Sequence, residues 1–258
     1  MPFKYCTTRN GIEFKVILSG AKLLFIIKFV KNSTFENSYL KTALYIVPIY
    51  KLQLLLAMNP DEAILHLHKE PNISRIINSI KIPDFTPSQK IYDDLLESII
   101  SQQLSVKVAS VIYSRFLNLF PDNYPHPELV NSIEFDQLRK AGLSNQKAGY
   151  IQNVASFTLQ HNLENKDWQN MSDDDILGFL TQIKGVGPWT VQMLLMFSLG
   201  RPDVFPIDDL GIQQGMAKIF GLQESGKALK MKMVELAEPW RPYRTVACRY
   251  IWRWKDTA

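Results

Sequence analysis

Residues 180–210 read LTQIKGVGPWTVQMLLMFSLGRPDVFPIDDL, and this stretch ties a backbone device to a pair of carboxylates. Just upstream, Ser172 with Asp175 three residues on has the pattern of a capping box. It opens a helix whose apolar residues Ile176, Leu177, Leu180 and Ile183 follow helical spacing. That helix is expected to stop at Lys184-Gly185-Val186-Gly187. Two glycines one residue apart permit positive φ and close approach by another molecule, and Pro188 has the fixed φ that suits a first helical position. A second helix then runs from about Pro188 to Leu199. Such a hairpin presents backbone N–H groups of Gly185, Gly187 and the following turn at the positive end of a helix dipole, where an anion such as a phosphate fits. An ordinary helix corner, with glycines for tight packing, is an equally valid reading of the G-x-G alone.

The decisive addition is Asp208-Asp209, which follows Phe205-Pro206-Ile207 about one helix length beyond the hairpin. Hairpin, Gly/Pro-rich loop and aspartate together resemble the signature of the helix-hairpin-helix Gly/Pro-Asp (HhH-GPD) DNA glycosylase superfamily, and within it the branch of 3-methyladenine DNA glycosylase II. The resemblance covers about residues 88–258. It implies an all-α fold, a compact multi-helix body of two helical subdomains with the active cleft between them. It also implies that Asp209 is the catalytic carboxylate, that Gly185, Gly187 and Thr190 contact DNA, and that Asp208 caps the next helix.

The chain has 258 residues, of which 46% are hydrophobic, ample for a core. Its net charge of +4 is misleading. Residues 1–57 hold eight Lys and Arg against two acids, and the remainder holds 21 basic against 23 acidic residues, a balance of −2. Overall basicity is therefore no argument for nucleic-acid binding by the main domain. One local patch exists from Arg201 onward, with ten basic residues against seven acids; a solvated helix face explains many of those charges as well. Cys6 and Cys248 form neither a disulfide framework nor a metal-ligand spacing, which suits a reducing cytoplasm.

Residues 1–57 read unlike the rest. Val16–Val30 is a mostly apolar run interrupted by Lys22 and Lys28, and Leu52–Ala57 is a second apolar patch. Fifteen residues with two lysines are short for a membrane span, so no membrane is expected as a partner. The abrupt helix opening at Met58-Asn59-Pro60-Asp61-Glu62 suggests Met58 as the start, with 1–57 an upstream extension and 58–258 the helical domain. From Asn59 the periodicity predicts helices near 60–69, 73–80, 88–101, 104–119, 127–140, 145–161, 173–183, 188–199, 209–220, 226–237 and 242–255. No convincing run of strand residues follows Asn59, and no strand-rich domain is expected ahead of it.

Three further segments bear on function. Ser98-Ile99-Ile100-Ser101-Gln102-Gln103-Leu104-Ser105 joins two apolar helices through a polar knot whose amides would be costly to bury unpaired. A junction satisfied by nearby backbone accounts for it, and the resemblance places there, at Gln103, the wedge that enters the duplex where the damaged nucleotide leaves. Ala141-Gly142-Leu143-Ser144 reads as a helix stop followed by a new cap, a structural turn. Glu238-Pro239-Trp240-Arg241-Pro242-Tyr243-Arg244 leads to Tyr250, Trp252 and Trp254. Aromatics at helical spacing are ordinarily core, but the resemblance makes Trp189 and Tyr243 the stacking walls of a base pocket, with Trp240 buried behind them.

The implied activity is base-excision hydrolysis of the N-glycosidic bond of alkylated purines in damaged double-stranded DNA, after base flipping. The expected protein is a monomer, cytoplasmic and DNA-associated. Relatives with a lyase step carry a lysine where Trp189 stands, so no lyase step is expected. Relatives with an iron–sulfur cluster carry four cysteines beyond the catalytic region, where this chain has only Cys248, so no cofactor is expected. A cation bridging the hairpin carbonyls to phosphate in a DNA complex is left open. A glycosylase for oxidised or deaminated bases, and a non-catalytic helix-hairpin-helix DNA-binding protein, are the alternatives. The Met58 start is checked by the intact mass of the protein from its native source; a species beginning at Met1 would refute it.

Overall fold

A computed structural model of the chain describes four strands, Lys4–Arg9 (β1), Ile12–Ser19 (β2), Lys22–Phe29 (β3) and Ala43–Ile46 (β4), together with residues 60–257. The chain divides into two compact units, Met1–Ala63 and Ile64–Ala258. Within the first, the strands pair as an antiparallel meander in chain order, with Cys6 opposite Lys15, Val16 opposite Phe25 and Phe25 opposite Tyr45. This corrects the expectation that no strand-rich segment precedes the helices. The runs Ile12–Ser19 and Lys22–Phe29 are rich in Ile, Val and Phe, and Asn10-Gly11 is a dipeptide favoured in two-residue hairpin loops. Reading Val16–Val30 as one apolar patch hid the break between two strands. Met58 and the patch Leu52–Ala57 lie outside the described residues.

From residue 60 onward the described chain is helical, as the periodicity predicts. The helices are α1 (Pro60–Leu67), α2 (Pro71–Ser79), α3 (Ile91–Ser101), α4 (Val106–Leu117), α5 (Pro127–Ser132), α6 (Phe135–Lys140), α7 (Asn145–His161), α8 (Asp173–Leu180), α9 (Pro188–Met193), α10 (Leu210–Phe220), α11 (Gly226–Ala237) and α12 (Arg244–Lys255). The predicted helix over 127–140 is two helices. The Ser132 hydroxyl donates to the carbonyls of Glu128 and Leu129, and Ile133 and Glu134 turn extended.

Caps set several of the ends. Ser172 Oγ accepts the Asp175 N–H at 3.1 Å, which is the N-cap half of the expected capping box, and its hydroxyl donates to the Asp175 carboxylate at 2.6 Å, so that carboxylate engages the side chain of Ser172. Ser144 accepts the Lys147 N–H to open α7, the 17-residue helix at the centre of the second unit. It buries Ala148, Ile151, Val154 and Ala155. Against it lies α3, whose Leu95, Leu96, Ile99 and Ile100 are fully buried. Beyond α9 the helix widens into one π turn, Leu194–Ser198. The Phe197 and Ser198 carbonyls there accept N–H groups of Ser88 and Gln89, so the segment ahead of α3 is laced to the helix after the hairpin.

The last helix is drawn onto α10 by two glycines one helical turn apart. A Cβ on Gly215 would collide with the Ile251 side chain, and one on Gly211 would lie 2.9–3.0 Å from the Trp252 ring. Gly→Ala within a helix ordinarily gains about 1 kcal/mol, whereas forcing atoms into a packed seam costs about 1–3 kcal/mol. Gly215→Ala is therefore expected to lower the unfolding free energy by roughly 0–2 kcal/mol, net, in urea titration; a stabilised variant would contradict the seam.

Candidate active site

The hairpin between α8 and α9 owes its shape to its glycines, in two different ways. Gly185 has φ +108°, and a Cβ there would fall onto the Tyr150 ring of α7. Gly187 has an ordinary φ of −97° and faces open space. So Gly185 is required by the backbone and by Tyr150, whereas Gly187 leaves room above the start of α9. The Val186 N–H is held by the Ile183 carbonyl. The N–H groups of Gly185, Gly187 and Trp189 find no partner among the described residues, which keeps them available to an anion at the helix start. Asn153 of α7 fixes the corner from below through the Lys184 carbonyl, at 3.1 Å. The Thr190 side chain is buried at 3% exposure.

Asp209 is the N-cap of α10, accepting the Ile212 N–H on Oδ1 at 2.8 Å. Capping is thus performed by Asp209 itself and not by Asp208, which instead accepts an exposed ion pair from Lys230 at 2.5 Å. Two indoles also converge on the Asp209 carboxylate. Trp189 Nε1–H donates to Oδ2 at 2.9 Å, and Trp252 Nε1–H donates to Oδ1 at 2.8 Å. The carboxylate is held by three N–H donors from three elements, and Trp189, 39% exposed, leaves one side of it open. From Trp252 the aromatic surface continues to Phe197, with centroids 5.9 Å apart, and then to Phe85 at 5.7 Å. The Arg249 guanidinium lies 4.7 Å from the Phe85 ring centroid.

The indole that joins Trp189 at the carboxylate is Trp252, which the sequence reading did not single out. Tyr243 precedes α12 and is 8% exposed, with its ring tilted against His66 at 5.2 Å. Trp240 is buried as expected, between Phe205 and Phe220. A signal for Trp252 existed: it stands four residues after buried Cys248 and seven after buried Thr245, on the stripe that α12 turns inward. Gly211 opposite it was the second half of that signal.

Gln103 is exposed at the turn between α3 and α4 and has a left-handed φ of +57°, uncommon for a residue with a Cβ. Several residues of the basic patch that begins at Arg201 are paired within the second unit, some buried and some at its surface. Arg201 is buried, donates to the Trp168 and Met171 carbonyls, and pairs with Asp173. Burial raises the Asp173 pKa, against the pull of Arg201. Asp203 binds both Arg241 and Arg244, and Lys230 goes to Asp208. Cys248 is fully buried, and that burial pushes its thiol pKa up.

Among the described residues no group of three or more His, Cys, Asp or Glu is placed to hold a metal ion, and no helix is long and apolar enough to cross a membrane. Residues 96–242 match the model of the HhH-GPD superfamily of base excision DNA repair proteins. Over 164 residues the chain is 35% identical to DNA-3-methyladenine glycosylase 1 of Schizosaccharomyces pombe, covering 63% of this chain and 71% of that protein. It is 34% identical over 169 residues to YfjP of Bacillus subtilis, of which it spans only 58%. In three dimensions it resembles the Schizosaccharomyces pombe 3-methyladenine DNA glycosylase solved with abasic DNA, with a TM-score of 0.67 and 32% identity over 74% of this chain and 95% of that one. A 3-methyladenine glycosidase from Bacillus halodurans gives a TM-score of 0.65 at 31% identity, over 78% and 91%.

The two hairpin glycines make opposite predictions. Gly185→Ala meets both a left-handed backbone and the Tyr150 ring and is expected to cost about 2–4 kcal/mol in urea unfolding. Gly187→Ala is expected to cost no more than about 1 kcal/mol, the difference between glycine and alanine at an N-cap. Equal losses would refute the division of labour.

Proposed function

The chain belongs to the HhH-GPD superfamily of base excision DNA repair proteins, and from that premise we propose that it is a monofunctional DNA glycosylase that releases alkylated purines from duplex DNA. The observation that carries the reading is the Asp209 carboxylate fixed between two indoles. The relatives named for 3-methyladenine support the substrate class.

A purine inside a duplex is out of reach of that carboxylate, so its nucleotide must be extruded, at a cost of roughly a few kcal/mol that damage lowers. Gln103, exposed on its turn, fills the gap. The N–H groups of Gly185 and Gly187 take a backbone phosphate without a charged side chain. Alkylation at a ring nitrogen makes the base cationic, and the aromatic surface of Trp189 and Trp252 attracts such a cation by about 0.5–2 kcal/mol. The glycosidic bond then breaks with positive charge developing on the sugar, and Asp209 stabilises that charge or orients the attacking water. Its three N–H donors keep both oxygens aimed during the reaction.

A base that leaves already positively charged needs no separate proton donor, which is why one carboxylate suffices. Trp189 offers no amine for a Schiff base with the sugar, so the reaction ends at hydrolysis. With Cys6 and Cys248 the only cysteines, the four thiolates of an iron–sulfur cluster are not at hand, and the mechanism asks for no cofactor. A monomer in a reducing, DNA-bearing compartment completes the proposal.

Incubation with methylated duplex DNA, with released bases identified by chromatography, tests it. Alkylated purines are expected to be released by the wild type. Asp209→Asn, which can still cap α10, is expected to release them at least 100-fold more slowly, and Asp208→Asn within about twofold of wild type. No released base would end the enzyme reading, as would full activity in Asp209→Asn. Release of unalkylated lesions alone would overturn the substrate class.

A further inference from the structure

The polar knot after α3 and the turn before α7, separate features of the sequence, meet at one ammonium group. Lys147 Nζ donates to the Ile100 carbonyl at 2.7 Å and to the Gln102 carbonyl at 2.7 Å. These belong to the last turn of α3, whose carbonyls have no partners further along the helix and carry the negative end of its dipole. Burial lowers the Lys147 pKa, which marks an amine partly withdrawn from water toward those two oxygens. Directly after Gln102 the chain enters the left-handed conformation at Gln103, and Ser105 then caps α4. The conformation that exposes Gln103 is thus fixed on both sides, by Lys147 before it and by the Ser105 cap after it.

Lys147 is itself firmly placed. Its backbone N–H is the one that the Ser144 cap receives, in the first turn of α7. Later on the same helix, the Tyr150 ring lies beneath Gly185 and Asn153 holds the Lys184 carbonyl. One helix therefore supports the Gln103 turn through Lys147 and the glycine hairpin through Tyr150 and Asn153.

We propose that Lys147 is a positioning residue for base extrusion: its ammonium group holds the Gln103 turn in the conformation that enters the duplex, at a fixed separation from the hairpin that grips the backbone. The inference rests on the glycosylase reading above and on Gln103 as the wedge. It also distinguishes Lys147 from a residue that only stabilises the fold, because a wedge matters in proportion to the base pair that has to be opened.

The test compares Lys147→Met, Gln103→Ala and the double variant on two duplexes bearing the same alkylated purine. In one the lesion is paired with thymine, and in the other it faces an abasic position, so that no pair has to be opened. Lys147→Met is expected to slow excision of the paired lesion about tenfold, and to slow that of the unpaired lesion far less. In the double variant the losses on the paired lesion are expected not to multiply, because both changes disable one device. Equal losses on the two duplexes, or losses that multiply, would overturn the proposal and leave Lys147 as packing support. Should Lys147→Met fail to fold in thermal unfolding, Lys147→Gln is read by the same comparison. A wild-type protein that releases no base from either duplex would remove the glycosylase reading itself, and the inference with it.

Discussion

A single carboxylate accepts N–H groups from three separate elements, and much of the second unit is arranged so that they can meet. Trp189 comes from the first turn after the hairpin, Trp252 from the last helix, and the Ile212 amide from the helix that Asp209 itself begins. An ionised carboxylate only accepts hydrogen bonds, so its orientation is dictated by where the donors are. Here they are backbone and indole N–H groups, which carry no charge of their own. The negative charge is thus aimed without being neutralised by a cation, which suits the role proposed for it opposite a developing positive charge.

Getting three elements so close depends on what is missing as much as on what is present. Gly211 and Gly215 let α12 lie against α10, and the first of these gives the Trp252 ring its place beside Asp209. Gly185 does the same for the Tyr150 ring under the hairpin. The Asp203 carboxylate then ties Arg241 and Arg244 at the approach to α12, fixing where that helix starts.

Much of this was legible in the sequence, because local rules govern it. The N-cap at Ser172, the cap at Ser144 and the glycine hairpin all follow from short spacings, and each sits where its spacing puts it; that Asp209 belongs with the hairpin was implied by the family resemblance. What escaped depends on contacts distant in sequence. Trp252 is one of several aromatic residues near the carboxyl end, and only the seam made by Gly211 shows that it reaches Asp209. Asp208 and Asp209 are adjacent, and which of them caps α10 is decided by the indoles that hold the second. Ten basic residues from Arg201 onward look like an electrostatic surface, and only the structure shows that seven of them have acidic or carbonyl partners. The strands ahead of the helices were hidden by two hairpin-sized runs merging into one apolar patch.

The internal pairing of those basic residues has a consequence for how a duplex is held. A protein that covers phosphates with lysine and arginine displaces condensed counterions, and its affinity falls steeply as salt is added. Here the grip offered to phosphate is a row of uncharged amides at the start of α9, while Arg201, Arg241 and Arg244 are occupied with Asp173 and Asp203. In the complex proposed above, a phosphate taken up by those amides meets no cationic side chain, so that one contact adds little to the salt dependence of binding.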